Sequence, residues 1–217
     1  MGEVATPSPA VSGVNASAAP GPGAMLVVDL CGTIVRDNTT HAFVRAAGLA
    51  GWRGACARAL ASRAGLSLGH LLPQGVHRAL LCACLRGASR ERLRASAARY
   101  CAAALDARAR RSVLAEIEAA RRAGTPVVLA SASLDVVVEA FAARLGAAGF
   151  VASELAWDAD GICLGGIARD ATGRKLARLR ERYGLLPSRL RVVTDNPEDA
   201  DLLGAASDAR FVRADDD

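Results

Sequence analysis

At 217 residues and 52% hydrophobic, the chain can bury a proper core, which excludes disorder of the whole and leaves room for one α/β domain with an inserted second unit. The net charge of +5 comes almost wholly from arginines along alanine-rich helical stretches with few aromatics; solvated helix faces explain them better than a nucleic-acid groove, and no nucleic-acid partner is expected. The longest apolar stretch, Val76 to Leu85, holds His77 and Arg78 and is about half of a bilayer span, so no membrane partner is expected and the chain reads as cytoplasmic.

Residues 1–24 mix Pro, Gly, Ala and Ser without periodicity and read as a disordered leader; they lack the basic start and apolar centre of a signal peptide. The first strand is predicted at Met25 to Asp29, an apolar run of the kind buried in a parallel sheet, ended by Cys31-Gly32-Thr33. From Thr40 to Arg122 only helical periodicity is present, punctuated by Gly48, Gly65 and Gly87, with Ser89 as a helix N-cap. A helical block this long between two strands is no ordinary crossover. It predicts a helical cap over the sheet at residues 40–122, with the core formed by 25–39 and 123–217.

A second strand at Pro126 to Ala130 leads through Ser131-Ala132-Ser133 to a helix from Leu134 to Leu145, with Ser133 as its cap candidate and Gly146 at its end. A third strand at Gly149 to Ala152 precedes a small hairpin around Asp160-Gly161. A helix from Gly173 to Tyr183, a strand from Leu190 to Val193, a helix from Glu198 to Leu203 and a strand from Ala209 to Val212 complete the alternation. This is the pattern of a doubly wound, Rossmann-like parallel sheet, whose ligands bind at the carboxyl ends of the strands.

On that scaffold Asp29, Ser131 and Asp195 end strands at one edge of the sheet, and Asp199 and Lys175 face the same side. Lys175 stands out because the other 26 basic residues are all Arg. Clustered carboxylates repel unless a cation sits among them, and an oxygen-rich set suits a hard divalent ion, Mg²⁺. The six cysteines, 31, 56, 82, 84, 101 and 163, read as reduced, buried small hydrophobes; Cys82 and Cys84 match no zinc spacing. Thr33 and Asn38 read as turn formers. His41, His70 and His77 read as ordinary surface or core histidines, and Arg78, Arg86 and Arg90 as solvated helix charge, although any of the six could meet a substrate.

The run Asp29-Leu-Cys-Gly-Thr33 resembles the Asp-x-Asp-x-Thr motif of haloacid dehalogenase-type phosphatases, with Ser131, Lys175 and Asp195-Asn-Pro-Glu-Asp199 resembling the second, third and fourth motifs in order. The resemblance covers about residues 25 to 213, and the helical insertion places it nearest the phosphoserine-phosphatase-like subclass. It implies a hydrolase acting on a small phosphorylated substrate through an aspartyl phosphate at Asp29. Ser131, Ala132 and Lys175 would bind the phosphoryl group, and Asp29, the Cys31 carbonyl, Asp195 and Asp199 would hold Mg²⁺. Cys31 stands where the family has its acid/base aspartate. That leaves three readings: a phosphatase for substrates with good leaving groups, a noncatalytic phospho-ligand binder, or a dehalogenase. Asp195 and Asp199 argue against the last, since displacement at carbon needs no magnesium.

Overall fold

A computed structural model describes residues 23–62, 64–65, 67, 71, 75–213 and 216; positions 1–22 of the expected leader, and His70, lie outside the described residues. The chain forms β1 (Ala24–Val28), then α1 (Thr39–Ala46), α2 (Gly51–Leu60), α3 (Val76–Cys84), α4 (Arg90–Arg108) and α5 (Arg111–Arg122). There follow β2 (Val127–Leu134), α6 (Asp135–Leu145), β3 (Gly149–Trp157), β4 (Cys163–Arg169), α7 (Lys175–Tyr183), β5 (Arg189–Thr194), α8 (Ala200–Ala205) and β6 (Asp208–Phe211).

The sheet order is β4-β3-β2-β1-β5-β6, parallel except for β4. β1 is central, and its period-2 alternation divides the core. Met25 and Val27 pack with Leu179 of α7 and Leu202 of α8, while Leu26 and Val28 pack with Val113 and Ile117 of α5 and Phe141 of α6. Burial on both faces is why the run is uninterruptedly apolar, and each large side chain so buried contributes about 1.5–3 kcal/mol. From β1 the chain steps outward to β2 and β3, then returns to β5 on the other side of β1. That reversal opens a crevice at the carboxyl ends of the strands, beside Asp29.

The hairpin expected around Asp160-Gly161 is present as antiparallel β3 and β4, with β3 running well past Ala152. Asp158 Oδ1 accepts from the amides of Asp160 and Ile162, and Gly161 takes a positive φ of 74° to close the turn. Ser89 caps α4 as expected, accepting from the Arg92 amide at 3.3 Å. Ser133 does not cap α6: its hydroxyl is buried and accepts from Thr39 at 2.7 Å, and α6 starts without a side-chain cap. Asn38 caps α1, its Oδ1 accepting from the His41 amide. The cysteines are free, and Cys56 is exposed rather than buried, because it lies on the outer side of α2.

The helices before β2 attach to the sheet in two ways. α5 packs against β2, and its Glu116 pairs with Arg191 of β5 at 2.9 Å and Arg210 of β6 at 2.6 Å. α1 to α4 pack on one another, with α4 against α6 and α3 against β4. Among the described residues no helix is long and apolar enough to cross a membrane.

Candidate active site

Asp29 directly follows β1, its amide donating to the Val193 carbonyl of β5, so the backbone ladder fixes where its side chain begins. Ser131 lies where the register between β2 and β3 breaks, after Ala130, and the interruption turns the strand at the serine. Asp195 directly follows β5, and Asp199 precedes α8. Lys175 is the first residue of α7 and is buried. All the sequence-predicted catalytic residues thus line one cavity of about 740 Å³, together with His41 and Arg78 from the preceding helices.

Lys175 organises the charge. Its Nζ lies 3.0 Å from Asp29 Oδ1 and donates a 2.7 Å hydrogen bond to Asp199 Oδ2. Burial opposes its charge, but Asp29 and Asp199 outweigh that and hold its pKa above the usual lysine value. Burial pushes the Asp29 carboxyl up to about 6, with Lys175 pulling it back and Asp199 adding to the rise. Although Asp29 Oδ1 is at ion-pair distance from the lysine, it receives no aligned hydrogen bond, so a buried carboxylate oxygen is left for another partner.

Asp195 is fixed from two directions. Its Oδ1 accepts from Thr33 Oγ1 at 2.8 Å, and its amide donates back to the same hydroxyl at 2.9 Å. Gly32 lies beneath it at a φ of 74°, and a Cβ there would sit 1.9 Å from Asp195 Oδ2. Glycine is therefore needed both for the backbone and for the carboxylate's place. Arg110, itself buried, holds this loop by donating from Nε to the Gly32 carbonyl at 3.0 Å. Asp199 Oδ2 also accepts from Thr194 Oγ1 at 2.8 Å, while Oδ1 has no hydrogen-bond partner among the described residues.

Cys31 makes its contacts with hydroxyl groups. Its Sγ lies 2.8 Å from Thr39 Oγ1 and 4.0 Å from Ser131 Oγ. Thr39 gives its only hydroxyl proton to Ser133, so the thiol is the donor in the Cys31 to Thr39 contact. Burial, and then the neighbouring Asp29 charge, push the thiol pKa above its usual value, so it keeps its proton at neutral pH. Ser131 is fully buried and its Oγ accepts from the Ser133 amide at 3.2 Å. The Ala132 carbonyl accepts from Arg78 and from Ser153 Oγ.

Of the other sequence candidates, Arg78 enters the cavity wall, donating to Asp170 and Thr172 at 2.9 Å each. His41 lines the cavity too and lies 5.1 Å from the His77 ring; burial, then His77 and Arg78, lower its pKa to about 4. Arg90 instead stacks over Trp157, and Arg86 belongs to a different cleft. The residues that sequence reasoning undervalued are Thr33 and Arg110. The signal for Thr33 was its place at the end of the Asp29 motif.

The donor set can be tested against a magnesium ion. Among the described residues no three His, Cys, Asp or Glu side chains cluster as metal ligands, which does not suit a three-side-chain transition-metal site. Mg²⁺ keeps several waters and needs only one or two carboxylates, and Asp29 with its unsatisfied oxygen and the anchored Asp195 fit it.

The fold is a doubly wound α/β sheet with polar residues gathered at the carboxyl ends of its parallel strands. A family model described as haloacid dehalogenase-like hydrolase matches residues 26–204, and the chain belongs to that family. Among solved structures it is similar to a protein with unknown function from Bordetella pertussis Tohama I, at 18% identity over 86% of this chain and 88% of that one, with a TM-score of 0.72. A substrate-bound phosphoserine phosphatase matches at 16% identity over 86% and 84% of the two chains, TM-score 0.55. Cytosolic 5'-nucleotidase IIIB bound to cytidine matches at 15% over 88% and 73%, TM-score 0.60. At these identities the likeness is one of fold. No curated protein sequence matches the chain.

Proposed function

We propose that the chain is a Mg²⁺-dependent phosphatase of a small phosphorylated compound, with Asp29 as nucleophile. The observation that carries this reading is Lys175 held between Asp29 and Asp199 at the sheet end that also presents Ser131. A carboxylate oxygen beside a buried ammonium and a hydroxyl is what in-line attack on phosphorus and stabilisation of its equatorial oxygens require. Asp29 attacks phosphorus as the bond to the leaving oxygen breaks, giving an aspartyl phosphate and the freed leaving group; water then attacks the aspartyl phosphate, releasing inorganic phosphate and returning the Asp29 carboxylate. Lys175, Ser131 and the Ala132 backbone bind the phosphoryl oxygens. Asp29, the Cys31 carbonyl and Asp195 would hold the cation, with Asp199 fixing Lys175 through Oδ2 and able to offer Oδ1. When bound, Mg²⁺ offsets charge between the anionic nucleophile and the anionic substrate. The helices from residue 40 act as a cap that selects the substrate.

Cys31 restricts the leaving group. A neutral thiol committed to Thr39 neither protonates a poor leaving oxygen nor activates water well, so acyl and aryl phosphates, which leave with little help, are the favoured class. The same observation supports a second reading, a binder of phospho-ligands that keeps the pocket without turnover. The test is hydrolysis of acetyl phosphate and p-nitrophenyl phosphate with and without Mg²⁺. Wild type is expected to turn over, and Asp29→Asn to lose roughly 10³-fold or more. Cys31→Asp is expected to accelerate hydrolysis of the poorer leaving group. An inert wild type with a Cys31→Asp variant that gains activity would establish the binder instead.

A further inference from the structure

Between Asn38 and Arg90 the chain carries seven arginines and not one Asp or Glu. Two of those arginines, Arg53 and Arg86, join Arg92 just beyond the stretch in lining a cleft separate from the larger cavity, about 150 Å³ in volume, together with Gly87. No residue of this cleft lines the catalytic cavity. Arg53 donates to the Arg86 carbonyl at 2.6 Å and Arg92 to the Gly48 carbonyl at 2.9 Å, while the Arg86 side chain makes no hydrogen bond among the described residues. None of the three forms an ion pair with a described carboxylate, so three guanidinium groups share a concave surface without a counter-charge. Guanidinium forks suit phosphate oxygens, and their proximity to one another favours an anion from outside.

Exposed apolar side chains lie near two of these arginines. Trp52 is 72% exposed, and the Arg53 guanidinium lies 5.6 Å from its ring. Near Arg86, Leu164 of β4 is 47% exposed and precedes Gly165, which abuts Arg86 closely enough that a Cβ there would lie 2.8 Å from the Arg86 Cβ. An exposed indole and leucine flanking an arginine cluster are what an interfacial protein presents to phosphate headgroups, with the apolar tips entering the acyl boundary.

We propose that this face docks on an anionic lipid bilayer, with Arg53, Arg86 and Arg92 taking lipid phosphates and Trp52 and Leu164 inserting beside them. Charge decides among the possible occupants. A second copy would set one arginine-rich surface against another, whereas anionic headgroups attract it, at about fivefold in affinity per arginine near the surface. A single-stranded nucleic acid would want several stacking platforms, and this face offers one ring. That no described helix is fit to cross a bilayer is a separate matter from resting on one.

The experiment is sedimentation of the full chain with vesicles of equal parts phosphatidylglycerol and phosphatidylcholine, and with phosphatidylcholine alone, at low and high salt. Binding to the anionic vesicles only, weakened by salt and insensitive to millimolar inorganic phosphate, is expected. Arg86→Gln, which removes no hydrogen bond, is expected to weaken it about fivefold, and the triple Gln variant of Arg53, Arg86 and Arg92 about a hundredfold. Trp52 emission, read in a Trp157→Phe background, is expected to shift to the blue on vesicles. Unchanged far-ultraviolet dichroism and phosphate release by Arg86→Gln keep a folding defect apart from a docking defect. Equal binding to neutral vesicles, no binding to anionic ones, or wild-type binding by the triple variant overturns the proposal. So does displacement by inorganic phosphate, which leaves a soluble-anion site, or a salt-sensitive dimer or RNA complex in place of vesicle binding.

Discussion

The carboxyl end of the sheet and the helical segment Asn38–Arg90 treat charge in opposite ways. In the first, a single buried lysine is shared by two buried carboxylates at 2.7 and 3.0 Å, and a third carboxylate is fixed by a threonine. In the second, seven arginines have no acidic residue of their own segment. The difference teaches that burial forces local matching: an unpaired charge in the interior costs several kcal/mol, whereas the same charge at the surface is solvated and free to act at a distance. The sheet end is thus stereochemically over-determined, and the helical face carries a positive field that local carboxylates do not cancel.

Substitutions should separate the two regions sharply. Asp29→Asn aside, the largest effect is expected from Gly32→Ala, where the new Cβ meets Asp195 and the positive φ adds about 1–3 kcal/mol of strain; phosphate release should fall at least 10²-fold and the melting temperature by several degrees. Retained activity would mean Asp195 need not sit where it does. Thr33→Val removes both hydrogen bonds to Asp195 while keeping the shape, at about 1–3 kcal/mol. The Mg²⁺ concentration for half-maximal rate should rise about tenfold or more, and an unchanged value would make Thr33 a turn former only.

A pH effect comes next in size. Burial raises Asp29 and Asp135 to about 6 in the folded protein, above the usual carboxylate value of 3.8. From pH about 4 to 6 the native state therefore binds more protons than the unfolded chain, so these two groups make stability fall as pH rises through that window. In chelated protein, denaturant titrations at pH 4.5 and 6.5 should differ in that direction, and Asp135→Asn should flatten the dependence. The smallest effect is expected from Trp52→Ala, on the exposed helical face: stability within about 0.5 kcal/mol of wild type in a urea titration, with hydrolysis unchanged. A larger loss would mean the helical face is integral to the fold.

Much of this was legible along the chain. The apolar run at Met25–Val28 had to be a strand buried on both faces, and the alternation after Pro126 had to wind a parallel sheet, because periodicity and crossover handedness leave few alternatives. Asp29, Ser131, Lys175 and Asp195 were legible as strand-end or helix-start residues, which a sheet gathers at one edge. Ser133 was misread because a serine one residue before a helix is an apt cap in isolation, and only packing against Thr39 turned it inward. Thr33 was undervalued because its partner is 162 positions away.

The sequence by itself determined the order of strands and helices, the residues that gather at the end of the sheet and the absence of acid between Asn38 and Arg90, because these depend on residue type, spacing and period. Only the tertiary structure decided that Cys31 meets Thr39, that Lys175 is shared between Asp29 and Asp199, that Gly32 leaves room for Asp195 and that Arg53, Arg86 and Arg92 line one cleft. Those facts rest on contacts between segments far apart in the chain, whose distances are set by packing rather than by any local propensity.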